Sequence, residues 1–172
     1  FDEKYDLVRT VRKGKWKYIR NYQGFYPDGL QNNYRYRMLA YQELRKMFLS
    51  GELNDKQSQF FRPRPAEQLF DLSLDPHEVN NLSRNPNFEN VLLDLRSKLR
   101  KHLVLNNDLS FFPESHMIEN ALADPLAFGN SRKGEIKSLI EIADLALFPF
   151  KDAEAKIIKI LKSGSDWERY WA

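Results

Sequence analysis

Cysteine is absent from the 172 residues. That excludes disulfides and thiolate metal ligands, and it fits either side of a membrane. Histidine is scarce: His77, His102 and His116 are scattered and offer no local ligand spacing for a metal. No run approaches the roughly 20 apolar residues that a membrane-spanning helix needs. No succession of basic, apolar and small residues at the start marks a signal peptide. The chain begins at Phe1 rather than Met and stops at Tyr170-Trp171-Ala172, and both ends are expected to be cuts through a longer polypeptide.

What is present is a soluble globular composition, 42% hydrophobic and 30% charged. A net charge of +3 hides an asymmetry. Residues 1–66 hold 14 basic and 7 acidic side chains, net +7, while the remainder holds 13 and 17, net −4. The basic part could face an anionic partner, or simply line solvated strand faces. Arginines interleave with aromatics, as in single-strand nucleic-acid platforms, but no RNP, KH or zinc pattern accompanies them. No nucleic acid is expected.

The clearest β signal lies in residues 4–23. Alternation over Asp6 to Arg12 and over Trp16 to Tyr22, around Lys13-Gly14-Lys15, predicts a hairpin. The aromatic face of its second strand is expected to pack on a helix. Apolar residues at helical spacing (Met38, Tyr41, Leu44, Phe48) predict one helix from Asn33 to Gly51, with Gly51 as C-cap. A second short helix follows over Leu53 to Phe61, capped by Asn54, and Phe61-Arg62-Pro63-Arg64-Pro65 is stiff and extended.

Everything turns at Gln68 to Leu82. Leu69, Phe70, Leu72 and Leu74, with Asp71 and Ser73 between them, read as a half-buried strand. Asp75-Pro76 breaks it, and turn and cap chemistry rather than metal binding accounts for Asp75 and Glu78. Asn85 and Pro86 then open a helix as cap and first helical residue. Its stripe of Phe88, Val91, Leu92, Leu95, Leu99 and Leu103 runs from about Asn87 to Leu105, and the sheet is the partner it should cover. A short helix is expected from Phe111 to Ala121. Beyond Arg132 come one helix carrying Ile136, Leu139, Ile140, Ala143 and Leu147, and another carrying Ile157, Ile158 and Leu161. A third is capped by Asp166 and carries Trp167, Tyr170 and Trp171. This alternation fits the start of an α-solenoid array or a plain helical appendage. The fold class is α+β, with residues 1–117 as one domain and 118–172 as a helical tail.

These segments resemble a known family. FDEKYDLVRTVRKGKWKYIRNY at 1–22, ELRKMFLSGELNDKQSQFF at 43–61, RPAEQLFDLSLDPHEVNNL at 64–82, LRSKLRKHL at 95–103 and DLSFFPESHM at 108–117 are similar, in order, to the C-terminal part of bacterial sulfatases. Those belong to the alkaline-phosphatase-like superfamily, with arylsulfatases and heparan N-sulfatases. The most specific block is E-x-L-[YF]-D-L-x-x-D-P-x-E-x-x-N-L, at Glu67 to Leu82. The tail is similar to the HEAT-like extension some of them carry.

The resemblance implies a parent enzyme that hydrolyses sulfate esters or sulfamates of a sulfated sugar, secreted or periplasmic. It implies formylglycine, made from a C/S-x-P-S-R motif, and a calcium ion in an N-terminal catalytic domain, which would be this region's partner. Apolar surface facing that domain would drive dimerisation when bare. No C/S-x-P-S-R stands here, so no catalytic residue is assigned and the region alone is expected to be inactive. Arg20, Asn21 and Tyr22 at the hairpin exit, and Arg35 and Arg37 in the loop region 23–42, are the candidate substrate contacts. Arginine offers a planar fork of donors to a sulfate. Two other readings stand: a phosphodiesterase or phosphonate hydrolase on the same scaffold, and a helical-repeat adaptor that binds an acidic partner in a salt-sensitive way.

Overall fold

The computed structural model describes residues 5–29 and 32–172. Phe1 to Lys4 of the first family-like block, and Leu30 and Gln31 of the 23–42 loop region, lie outside the described residues. The chain divides into two compact units, Phe1–Pro86 and Asn87–Ala172. The long helix sets the division, because its buried face is shared with helices that follow it.

The first unit is built on a three-stranded antiparallel sheet in the order β1-β2-β3, with β1 Val8–Lys13, β2 Trp16–Asn21 and β3 Glu67–Asp71. Lys13 pairs with Trp16, which leaves Gly14-Lys15 as a two-residue turn. Gly14 has φ +58°, the conformation that such a turn needs at its first loop position and that glycine adopts without a side-chain clash. Tyr18 pairs with Val11 on one side and Leu69 on the other, so β2 is central. Tyr18, Leu69 and Phe70 are buried. Strand β1, Val-Arg-Thr-Val-Arg-Lys, lies at the edge, where its cations discourage pairing with another chain.

Strand β3 ends sooner than the alternation predicts. Asp71 accepts hydrogen bonds from the Ser73 amide (3.1 Å) and hydroxyl (2.5 Å), and its carbonyl accepts from Leu74 and Asp75. This turn replaces the ladder, and Leu74, expected in a half-buried strand, is 83% exposed. Asp75 then accepts from the amides of Val79 and Asn80, the turn chemistry expected of it.

The helix expected from Asn33 to Gly51 is two helices, α1 Asn33–Arg37 and α2 Leu39–Leu49. Met38 between them is extended, at ψ 123°. Helix α2 ends in a Schellman motif: the Glu52 amide bonds the Met47 carbonyl and the Gly51 amide bonds that of Phe48. Helix α3, Asp55–Ser58, starts with a reciprocal Asn54–Gln57 capping box. A 3₁₀ turn over Gln59–Phe61 follows.

In the second unit, Pro86–Phe88 forms a 3₁₀ turn before α4, Glu89–Leu105, so Pro86 opens the segment without being the first α-helical residue. Leu92, Leu95, Leu99 and Leu103 of α4 are buried, and the helix packs on α7. Helices α5 Glu114–Asn120, α6 Pro125–Ser131, α7 Lys133–Ala143, α8 Phe150–Ser163 and α9 Asp166–Trp171 complete the unit. Helix α6, capped by Asp124, has no counterpart in the sequence reading. Ser165, not Asp166, caps α9 in a box with Glu168. The Glu168 carboxylate also accepts from the Ser138 hydroxyl of α7 at 3.0 Å. The Ser165 amide and then the Ser138 hydroxyl hold it below the usual carboxylate range. At the end of α9 the Trp171 indole donates to the Phe111 carbonyl at 2.8 Å.

Candidate functional site

The expected substrate contacts lie in two places. Arg20, the last but one residue of β2, is 2% exposed and donates to the carbonyls of Asn21 (2.8 Å) and Ala66 (2.9 Å). Its guanidinium lies over the Tyr22 ring, 4.4 Å from the centroid. Asn21, equally buried, donates to the Pro65 carbonyl (2.9 Å) and to Gln68 Oε1 (3.0 Å). These two side chains stitch the hairpin to the segment that enters β3. Arg35 and Arg37 are on α1. Arg35 donates to the Asp28 carbonyl at 3.0 Å and lies 5.9 Å from the Tyr41 and Phe60 ring centroids, while Arg37 is exposed.

A side chain that the sequence reading passed over joins these places. Arg64, in the stiff segment before β3, has a side chain only 7% exposed. It pairs with Asp6 at 2.5 Å and with Asp28 at 3.3 Å, and donates to the Tyr26 carbonyl at 2.9 Å. Its amide donates to the Gly24 carbonyl at 2.7 Å. The two backbones run so close that a Cβ on Gly24 would sit 2.5 Å from the Arg64 carbonyl oxygen, so only glycine fits there. Arg64 therefore fixes the loop between β2 and α1. No local pattern could have found it, because Asp6 is 58 residues away.

Beside this pin lies a cleft of about 290 Å³, walled by Asp28, Gln59, Arg62, Arg64, Gln68 and Asn81 among others. Burial raises the Asp28 carboxyl above the usual carboxylate range, and Arg64 opposes that. On β3, the Lys15 ammonium at 2.6 Å and then Ser73 hold Asp71 below it. A depressed native pKa stabilises the fold above the ordinary carboxylate pKa, and the contribution is lost as pH falls through the native value. We expect the urea midpoint to drop as pH goes below about 4. Asp71→Asn should flatten that part of the profile and leave the slope above pH 5 unchanged.

The second unit has its own groove, about 440 Å³, lined by Arg96, Arg100 and Lys156 beside Leu145 and Phe148. Arg100 is paired with Glu141 there, at 2.7 Å. His116 is ringed by Phe112, Phe128 and Trp167, with centroids 4.9–5.8 Å away, and belongs to the packing. His102 is exposed.

Among the described residues no three His, Cys, Asp or Glu side chains gather to hold a metal ion. The sequence supplies no formylglycine precursor motif. These residues do not fit the implied calcium or formylglycine, and no step of hydrolysis is assigned to them. No described helix is long and apolar enough to cross a membrane.

A comparison with characterised proteins gives the chain a relative. Over 122 residues, 69% of the chain, it is 43% identical to an ulvan-active sulfatase of Formosa agariphila. The match covers 20% of that protein, so the chain spans about a fifth of its length. The chain contains a sulfatase-related region. It matches no protein-family model.

Proposed function

We propose that this chain is the C-terminal accessory region of a sulfatase that hydrolyses sulfate esters or sulfamates of a sulfated polysaccharide. The 43% identity to an ulvan-active sulfatase is the observation that carries this reading. The nucleophile, formylglycine in the family the sequence resembles, and the calcium ion would belong to a catalytic domain upstream. The first unit would brace that domain. Its Arg64 pin and the Arg20 and Asn21 bonds tie one loop to the segment that enters β3. A rigid accessory wall can hold a bound substrate in register, and a misplacement of about 1 Å is enough to cost rate. The second unit, α4 to α9, would be the start of a helical extension. A secreted or periplasmic location follows from the same reading, because a polysaccharide substrate is met outside the cytoplasm.

The test is made on the intact gene product. The upstream sequence should contain C/S-x-P-S-R, and the purified full-length protein should release sulfate from ulvan or another sulfated polysaccharide. The 172 residues alone should release none. A full-length protein without the motif and without sulfate release would remove the assignment.

A further inference from the structure

The cleft beside Arg64 has the makings of a sugar site rather than of a packing defect. Its frame is stiff. Pro63 and Pro65 fix two backbone φ angles, and Arg64 is held by Asp6 and Asp28. Asn81 accepts from the amides of Leu69 and Ser83 (2.9 and 3.0 Å). Its polar groups differ in how fully they are used. Gln68 Oε1 accepts from Asn21, which fixes the amide and leaves its NH₂ as a donor with no partner among the described residues. Gln59 Nε2 reaches the Val79 carbonyl only at 3.4 Å. Arg62 directs both terminal nitrogens at one oxygen of Asp55, each at 3.4 Å, with side chains 54% and 93% exposed. So long and solvated a pair is weak and is readily exchanged for an anion gripped by two donors.

The acceptors complement these donors. Glu78, at a positive φ of 56°, holds both oxygens on Lys17 at 2.7 Å and keeps lone pairs for a hydroxyl. The volume, about 290 Å³, falls just below the roughly 300–1,000 Å³ of small-molecule sites, room for one ring rather than an extended ligand. Planar amides, a loosely held guanidinium, carboxylate acceptors and proline faces match the edge hydroxyls, the anionic group and the apolar face of a pyranose.

We propose that this cleft binds a single sulfated sugar residue, with Arg62 on the sulfate and the Gln68 and Gln59 amides on hydroxyls. The proposal rests on the sulfatase reading and adds a subsite to it that lies within this chain. Binding here would hold a glycan chain away from the scissile ester and make affinity depend on chain length.

The experiment uses the 172-residue chain, ¹⁵N-labelled, titrated with a sulfated tetrasaccharide, with its desulfated counterpart and with inorganic sulfate. The sulfated sugar should shift the amides around Arg62, Gln68 and Asn81 and bind at least tenfold more tightly than the other two. Arg62→Ala should weaken it about tenfold and Gln68→Glu, which removes the NH₂ donor to a hydroxyl and adds a negative charge to a cleft that takes an anionic sugar, by at least as much. Lys101→Ala in the second unit should change nothing. Circular dichroism on each variant separates lost binding from lost folding, and Arg62→Lys, which keeps charge without the fork, replaces Arg62→Ala should the latter not fold. Equal binding of sulfated and desulfated sugars, shifts centred elsewhere, or undiminished affinity in both cleft variants would overturn the proposal. Sulfate release by the full-length protein is read separately, so a sulfatase without this subsite and a non-sulfatase give different results.

Discussion

Arg64→Ala is expected to destabilise the first unit by about 3 kcal/mol, the lower end of the cost of removing one partner of a buried ion pair. The lower end applies because Asp28 is half in solvent, whereas Asp6 is largely buried. The variant strips the Tyr26 carbonyl of its donor and leaves two carboxylates facing each other across the gap. For a unit of this size about 3 kcal/mol is a fall in Tm of about 15 °C. Arg64→Lys should recover little, because an ammonium is a point charge and cannot serve Asp6, Asp28 and Tyr26 in one plane. Amide exchange gives the local readout: protection should fall first at Gly29, Tyr26 and Asn21. A Tm within 3 °C of the parent would show that the loop is held by something other than this guanidinium.

That residue also marks the limit of what could be read from the amino acids in order. The hairpin was legible because alternation with period two and a central glycine are local signals, and both are set within the seventeen residues from Asp6 to Tyr22. The Asn54 cap and the amphipathic stripe of α4 were legible for the same reason. Met38 was not, because no glycine or proline announces the break. The break follows from two caps competing for one stretch: Asn32 accepts from the Arg35 amide to start α1, while the Met38 carbonyl accepts from Gln42 to start α2. Helix α6 carries an Asp124-Pro125 start signal that could have been found. At the candidate site the chemistry of arginine was visible and its use was not. Arg20 is occupied by backbone carbonyls that register with β3 brings beside it, and Arg64 by an aspartate 58 residues away. Which guanidinium is spent and which is loosely held depends on contacts distant in sequence, and these no spacing rule encodes.

In the second unit the largest single effect should come from Leu139→Ala. Leu139 is fully buried on α7, as are Ile136 and Ile140, and α7 packs on both α4 and α9. Truncation removes the transfer energy of the side chain and leaves a cavity between helices that cannot easily close on it, for a loss of about 3–4 kcal/mol. Exposed leucines provide the contrast: Leu105→Ala, at a site open to solvent, should stay within about 0.5 kcal/mol of the parent. Trp171→Phe falls between them. It keeps the ring against Phe111 and loses the indole bond to the Phe111 carbonyl, worth about 1 kcal/mol. Urea midpoints order the three variants, and exchange protection locates the loss. If Leu139→Ala deprotects α4 and α9 together with α7, the three helices share one core. If α9 alone is lost in Trp171→Phe, it is a flap held by its cap and its indole. The same midpoint for Leu139→Ala as for Leu105→Ala would mean that α7 is not the centre of the second unit.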